Sequence, residues 1–247
     1  MPVSATYETI YYPETSYGGF TGVDGTMAFY LRVNALIEPS AHVLDFGCGR
    51  GCYGDDPVTL RREMRILRGK CARVAGADIG DDATQNPYLD EVRLFRPGAP
   101  VPYPDASFDV LLADCVLEHL PDPAAFFAEA RRLLKPGGHL CLRTSNVLSY
   151  FGLAALLVPA SRREQVLHRA RPDRKDEDSF PTLYRCNTVF AIRRALAQQG
   201  FDGVAFGHES EPRYLGFSRL AYRFGVWHQR WAPSFLRPAI FAFARRT

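Results

Sequence analysis

The sequence predicts an α/β fold, a mostly parallel sheet with helices on both faces, and three observations predict it. Apolar runs of strand length alternate with helix-length segments across residues 40–145. Phe108–Ala113 is almost continuously apolar, as expected of a strand covered on both faces. The first strand also runs directly into a glycine-rich turn, Gly47-Cys48-Gly49-Arg50-Gly51. With 247 residues, 47% hydrophobic and 23% charged, the chain holds enough apolar surface for a large core and is not a disordered segment.

The elements follow in order. Residues 1–25, rich in Tyr, Gly and Thr, read as part of an arm or lid over 1–38. Thr26–Glu38 reads as a helix stopped by Pro39, and His42–Phe46 as the first strand. A helix is expected over Val58–Leu67, a second strand over Arg73–Asp78, a third over Val92–Phe95 and a fourth over Phe108–Ala113. Asp122–Leu134 has an N-cap candidate in Asp122, Pro123 in its first turn, and Lys135-Pro136-Gly137-Gly138 to end it. His139–Thr144 is the fifth strand. Residues 39–146 thus form a core, and 147–247 a C-terminal part of the same domain. That part contains a densely charged stretch, His168–Asp178, a helix at Thr188–Gln199, and strands at Gly203–His208 and Ala239–Arg245.

Composition removes several function classes. The net charge of +3 gives no electrostatic footprint for nucleic acid, which is not expected as a partner. Of six cysteines only Cys48 and Cys52 lie close together, so no tetrahedral metal spacing is visible and free thiols in a reducing cytoplasm are expected. Met1–Tyr12 shows no basic cluster leading into an apolar stretch, so no secretory signal is expected there. The longest apolar run, Val147–Ala160, is shorter than the roughly 18 residues a membrane span needs.

Glycines after the first strand let the backbone turn sharply and let a ligand approach the main chain. No Gly-Lys-Ser/Thr follows, so this is not a P-loop. Asp45, at the strand's end, suits a ligand with a cationic amine and opposes a pyrophosphate at the next helix N-terminus. A nicotinamide cofactor is therefore disfavoured. Asp78 closes the second strand, where a carboxylate can accept both hydroxyls of a ribose.

Four segments in the right order now carry a resemblance. Val43-Leu44-Asp45-Phe46-Gly47-Cys48-Gly49-Arg50-Gly51 resembles motif I of the class I S-adenosylmethionine-dependent methyltransferases. Pro102–Val110, Val116–Pro123 and Arg132–Gly138 resemble that family's PFPDxSFDVV, VLEHLPDP and RLLKPGG segments. The resemblance implies a Rossmann-like seven-stranded sheet in the order 3-2-1-4-5-7-6, with S-adenosylmethionine as cofactor. It implies that Asp45, Gly47 and Gly49 line the methionine moiety and Asp78 holds the ribose. Ile79 would pack on the adenine face, and Asp114 and Cys115 would flank the methionine part and the acceptor. Many relatives bind the adenine amine with an Asp after strand three; Leu94-Phe95-Arg96 has none, so either Phe95 stacks there instead or a backbone group accepts the amine's bond. The similar ubiquinone-pathway O-methyltransferases hold a divalent ion on an acidic residue three places before a Glu-His pair. Glu118-His119 matches that pair, but the third position is Cys115, so no metal is expected.

Methyl transfer from a sulfonium needs alignment and dryness more than covalent help, with a base where the nucleophile is oxygen. His119 and His168 are the candidate bases; His208 is expected to be structural. Tyr17, Asn146, Tyr184 and Arg185 are candidate acceptor contacts, with Asn187 as an alternative helix cap. Aromatic faces and Arg donors suit a small-molecule, sugar, or lipid- or glycan-linked acceptor. Pro212–Thr247 contains seven Arg, both Trp and no acidic residue. It reads either as a packed helix between the last two strands or as an interfacial helix giving peripheral membrane contact. The function expected is S-adenosylmethionine-dependent O-methylation; the alternative is a non-catalytic module that binds the same cofactor.

Overall fold

A computed structural model describes residues 3–157 and 181–247. Its described strands form one sheet: β1 (His42–Phe46), β2 (Arg73–Asp78), β3 (Glu91–Leu94), β4 (Phe108–Asp114), β5 (Leu134–Ser145), β6 (Phe201–His208) and β7 (Ala239–Arg246). The order is 3-2-1-4-5-7-6. β3-β2-β1-β4-β5 pair in parallel, while β7 runs antiparallel to both β5 and β6. Between β1 and β4 the chain order reverses. The crevice beyond the carboxyl ends of those two strands is where such sheets take ligands.

The helices are α1 (Val3–Tyr11), α2 (Gly25–Leu36), α3 (Thr59–Arg65), α4 (Pro123–Leu133), α5 (Tyr150–Leu157), α6 (Val189–Gln198) and α7 (Arg219–Trp231). Successive strand residues point to opposite faces, and the core divides accordingly. Leu44, Ala75, Leu111, Leu140 and Ala242 pack with Phe127 and Leu133 of α4 and Ile192 of α6. Val43, Val74, Val110, Cys141 and Phe241 pack on the other side with Phe29 and Val33 of α2. Burying those aromatic and branched side chains contributes about 1.5–3 kcal/mol each.

Two expectations about organisation change, and a third falls outside the described residues. Residues 1–38 are not a single arm, because α2 is a core helix with Phe29 and Val33 fully buried. Its cap is Asp24, whose Oδ1 accepts from the N–H groups of Thr26 and Met27 (2.8 and 2.9 Å). The Lys135-Pro136-Gly137-Gly138 turn lies inside β5, where the pairing with β4 shifts register between Phe108 and Val110. His168 and the rest of the charged stretch lie outside the described residues.

Candidate functional site

The glycine turn after β1 is built from backbone conformations that only glycine adopts without strain. Gly47, Gly49 and Gly51 all have positive φ (72°, 51° and 79°). A Cβ on Gly47 would lie 2.5 Å from Val116 Cγ2, whereas one on Gly49 would meet open space. Two side chains fasten the turn. Asn86 donates to the carbonyls of Cys48 and Gly49 (3.3 and 3.0 Å). Asp78 accepts from the Gly49 N–H on Oδ2 (2.8 Å), and on Oδ1 from the N–H groups of Ile79 and Gly80 (2.7 and 2.9 Å). A carboxylate offers about four acceptor sites. Asp78 therefore keeps one acceptor site open, where the expected contact to both ribose hydroxyls would need two.

Asp45 faces the same crevice, half-buried, and no hydrogen bond reaches its carboxyl among the described residues. Burial pushes it up to about 7; the charges of Asp114 and Asp78 add to the rise and Arg65 opposes it. Ile79 is 49% exposed beside Asp78. Phe95 is half-buried, its ring 5.4 Å from that of Phe46.

Asp114, expected to flank the ligand, is held in a largely buried ion pair. Arg143 clasps it with Nε on Oδ1 and Nη2 on Oδ2, both at 2.6 Å, and Tyr30 Oη donates to Oδ2 at 3.0 Å. Burial works against the charged form, but the Arg143 and Arg65 guanidinium groups and these bonds hold the carboxyl at about 2. Arg65 stands 3.6 Å from Asp114 and 4.9 Å over the Tyr53 ring, and its buried Nε has no partner. Two guanidiniums thus share one carboxylate beside Asp45. Cys115, next in the chain, is exposed with φ 60° at the mouth of the crevice.

Glu118 and His119 organise the acceptor side. Glu118 is buried and accepts from Thr144 Oγ1 (2.6 Å) and Ser145 Oγ (3.0 Å), while its carbonyl takes the N–H groups of Leu183 and Tyr184. It is a strut joining β4 to β5, so Ser145 is committed to it. His119 Nδ1 lies 3.0 Å from the Pro181 carbonyl. The carbonyl only accepts, so the proton of the neutral ring sits on Nδ1 and the lone pair on Nε2.

Two further polar side chains are engaged by the protein itself. Asn146 is buried and donates to the carbonyls of Phe235 and Arg237, both at 2.8 Å, while its Oδ1 accepts from the Leu148 N–H, so it locks a chain crossing. Asn187 bonds Thr144 Oγ1 and the Ser145 carbonyl; the cap of α6 is Thr188, which accepts from the Ala191 N–H. Tyr184 is brought beside Glu118, in a left-handed conformation (φ 52°), and Arg185 is exposed next to it. Tyr17 is 85% exposed on the N-terminal arm, two residues before Gly19, where a Cβ would touch Val58 ahead of α3. His208 bonds the Val23 carbonyl and stacks on Phe241, a packing role.

Sequence reasoning missed Arg65, Arg143, Tyr30 and Asn86. The signal available was Arg143 itself, a single cation inside the apolar run of β5. It also missed Glu209, buried beyond the carboxyl end of β6 and 2.7 Å from His228 Nδ1, whose carboxyl burial raises to about 8.

The comparisons with known proteins bear on the family and the fold. Residues 26–205 match the family described as methyltransferase domain. The ubiquinone biosynthesis O-methyltransferase of Caulobacter vibrioides is 30% identical over 171 residues, 66% of this chain and 62% of that one. An uncharacterized methyltransferase of Schizosaccharomyces pombe is 29% identical over 124 residues, 46% and 43% of the two chains. The chain spans about half the length of the curated relatives it matches. Among solved structures, a chain of the complex described as that between the Haloferax volcanii Trm112 methyltransferase activator and "the putative methyltransferase" shares the fold with a TM-score of 0.56. That likeness holds at 16% identity and covers 98% of this chain and 94% of the other.

Proposed function

Because this chain belongs to the methyltransferase domain family, we propose that it transfers a methyl group from S-adenosylmethionine to an oxygen of a small acceptor. What supports this most is the half-buried Asp45 carboxyl with no donor of its own, set beside a turn of left-handed glycines. Asp45 would take the ammonium of the methionine moiety and Arg65, with its unpartnered Nε, the carboxylate. Asp78 would hold one ribose hydroxyl, and Ile79 with Phe95 would face the adenine. Bound there, S-adenosylmethionine supplies a sulfonium methyl carbon open to in-line displacement.

The chain's own part is orientation, exclusion of water and one proton transfer. His119, held by the Pro181 carbonyl with its lone pair on Nε2, accepts the proton of the acceptor hydroxyl. Tyr184 and Arg185, drawn in through the Glu118 carbonyl, form a wall on which an acceptor ring or sugar rests. A hydroxylated small molecule, a sugar or a lipid-linked glycan fits those groups. Such a base is worth about 10²–10⁴ in rate. His119→Ala is expected to lower kcat within that range, while calorimetry shows unchanged cofactor affinity. Full turnover in this variant, measured with methyl-labelled cofactor and a panel of phenolic and sugar acceptors, removes His119 from the mechanism. Cofactor binding with no turnover by the wild-type protein on any acceptor leaves a binding module.

A further inference from the structure

Both faces of α7 carry large apolar side chains, and only one meets the body of the protein. Tyr222 and Val226 are buried against α1, and Gly225 lets the helix backbone close on Pro212, whose Cβ would lie 2.4 Å from an added Cβ. On the other side Leu220, Phe224, Trp227 and Trp231, with Phe217 just before the helix, are between 48% and 77% exposed. At about 100° per residue the four helical members fall within an arc of about 60°, pointing away from the packed face. Arg219, Arg223 and Arg230 form a row along one flank of that arc, all exposed. No acidic residue occurs from Pro212 to Thr247, and the two that precede it are buried and engaged: Glu209 with His228, Glu211 with Arg213 and Thr21. The stripe continues toward α5, whose Tyr150 ring lies 6.1 Å from Phe224 and whose Leu153 is exposed.

We propose that this face of α7 docks on an anionic lipid surface, with Trp227 and Trp231 at headgroup depth and the Arg row against lipid phosphates. Charge complementarity selects the occupant: an apolar stripe rimmed by cations that form no ion pair among the described residues, and carrying indole rings, matches a negatively charged bilayer interface. The inference stands apart from the methyl-transfer reading, since it uses no residue of the crevice.

The chain's only two tryptophans both lie in the stripe, so intrinsic fluorescence reports on this helix alone. With the full chain and vesicles of equimolar phosphatidylglycerol and phosphatidylcholine, the expected result is co-sedimentation, a blue shift, and quenching by brominated acyl chains. All three weaken as salt rises, and pure phosphatidylcholine gives much less. Replacing Arg219→Gln and Arg223→Gln together lowers partitioning about 30-fold, at roughly fivefold per cation, with an unchanged circular dichroism spectrum. Equal behaviour on both vesicle types, or no indole quenching, overturns the assignment. So does a lipid-free dimer in sedimentation equilibrium with both indoles already blue-shifted, which would make the occupant a second copy of the chain.

Discussion

Asp45 and Asp114 differ in one respect, the company each keeps. Asp114 has two guanidinium neighbours and a tyrosine hydroxyl and stays ionised; Asp45 has no hydrogen-bond donor among the described residues, and burial pushes it up to about 7. A carboxyl whose folded-state value lies above its ordinary value of about 3.9 weakens the fold as it ionises. Its stabilising contribution is complete below about pH 4 and is lost as pH rises through 7. An ammonium ligand reverses the preference, because it needs the carboxylate. Cofactor affinity is therefore expected to climb about tenfold per pH unit up to pH 7 and then level off. Asp45→Asn should flatten that profile and raise the ligand-free melting temperature at pH 8. A wild-type affinity independent of pH between 5 and 7 would show that Asp45 does not touch the ammonium.

Among the elements, the link between β4 and β5 bears the most concentrated charge. Removing Arg143 would leave the largely buried Asp114 carboxylate with the Tyr30 hydroxyl and with Arg65 no nearer than 3.6 Å. Breaking a buried pair in this way costs about 3–5 kcal/mol. Arg143→Met is expected to lose that much in urea unfolding, and Asp114→Leu added to it to recover a substantial part. A loss under 1 kcal/mol for the single variant would mean that water or Arg65 compensates. Asp114 is held below its ordinary value, so its contribution is whole above about pH 4 and lost as pH falls through 2. The sequence shows where β1 and β2 lie and that a helix precedes Lys135, because apolar runs, Pro123 and the glycine turn are local signals. It does not show the partners of Asp114 or Asn146, which lie 29 and about 90 residues away along the chain. Nor does it show which face of α7 is inside, since Tyr222 and Val226 are as apolar as Trp227 and Trp231. The cap at Asp24 is masked by Gly25, a poor helix former that opens α2.

At the scale of the molecule, sheet order gathers the pieces. Placing β1 between β2 and β4 sets the glycine turn, Asp78 and Cys115 around one crevice, although they are some 30 residues apart in sequence. The proposal on which the rest stands is that this crevice is a cradle for a nucleoside bearing a sulfonium amino acid. No helix among the described residues is long and apolar enough to cross a membrane, so α7 would meet lipid from one side. The most direct measurement is a calorimetric titration of the folded chain at pH 8 with S-adenosylmethionine and, separately, with its demethylated product. Saturable heat at one site per chain, weakened at least tenfold by Asp78→Ala, is the predicted result. No heat from either compound would contradict it.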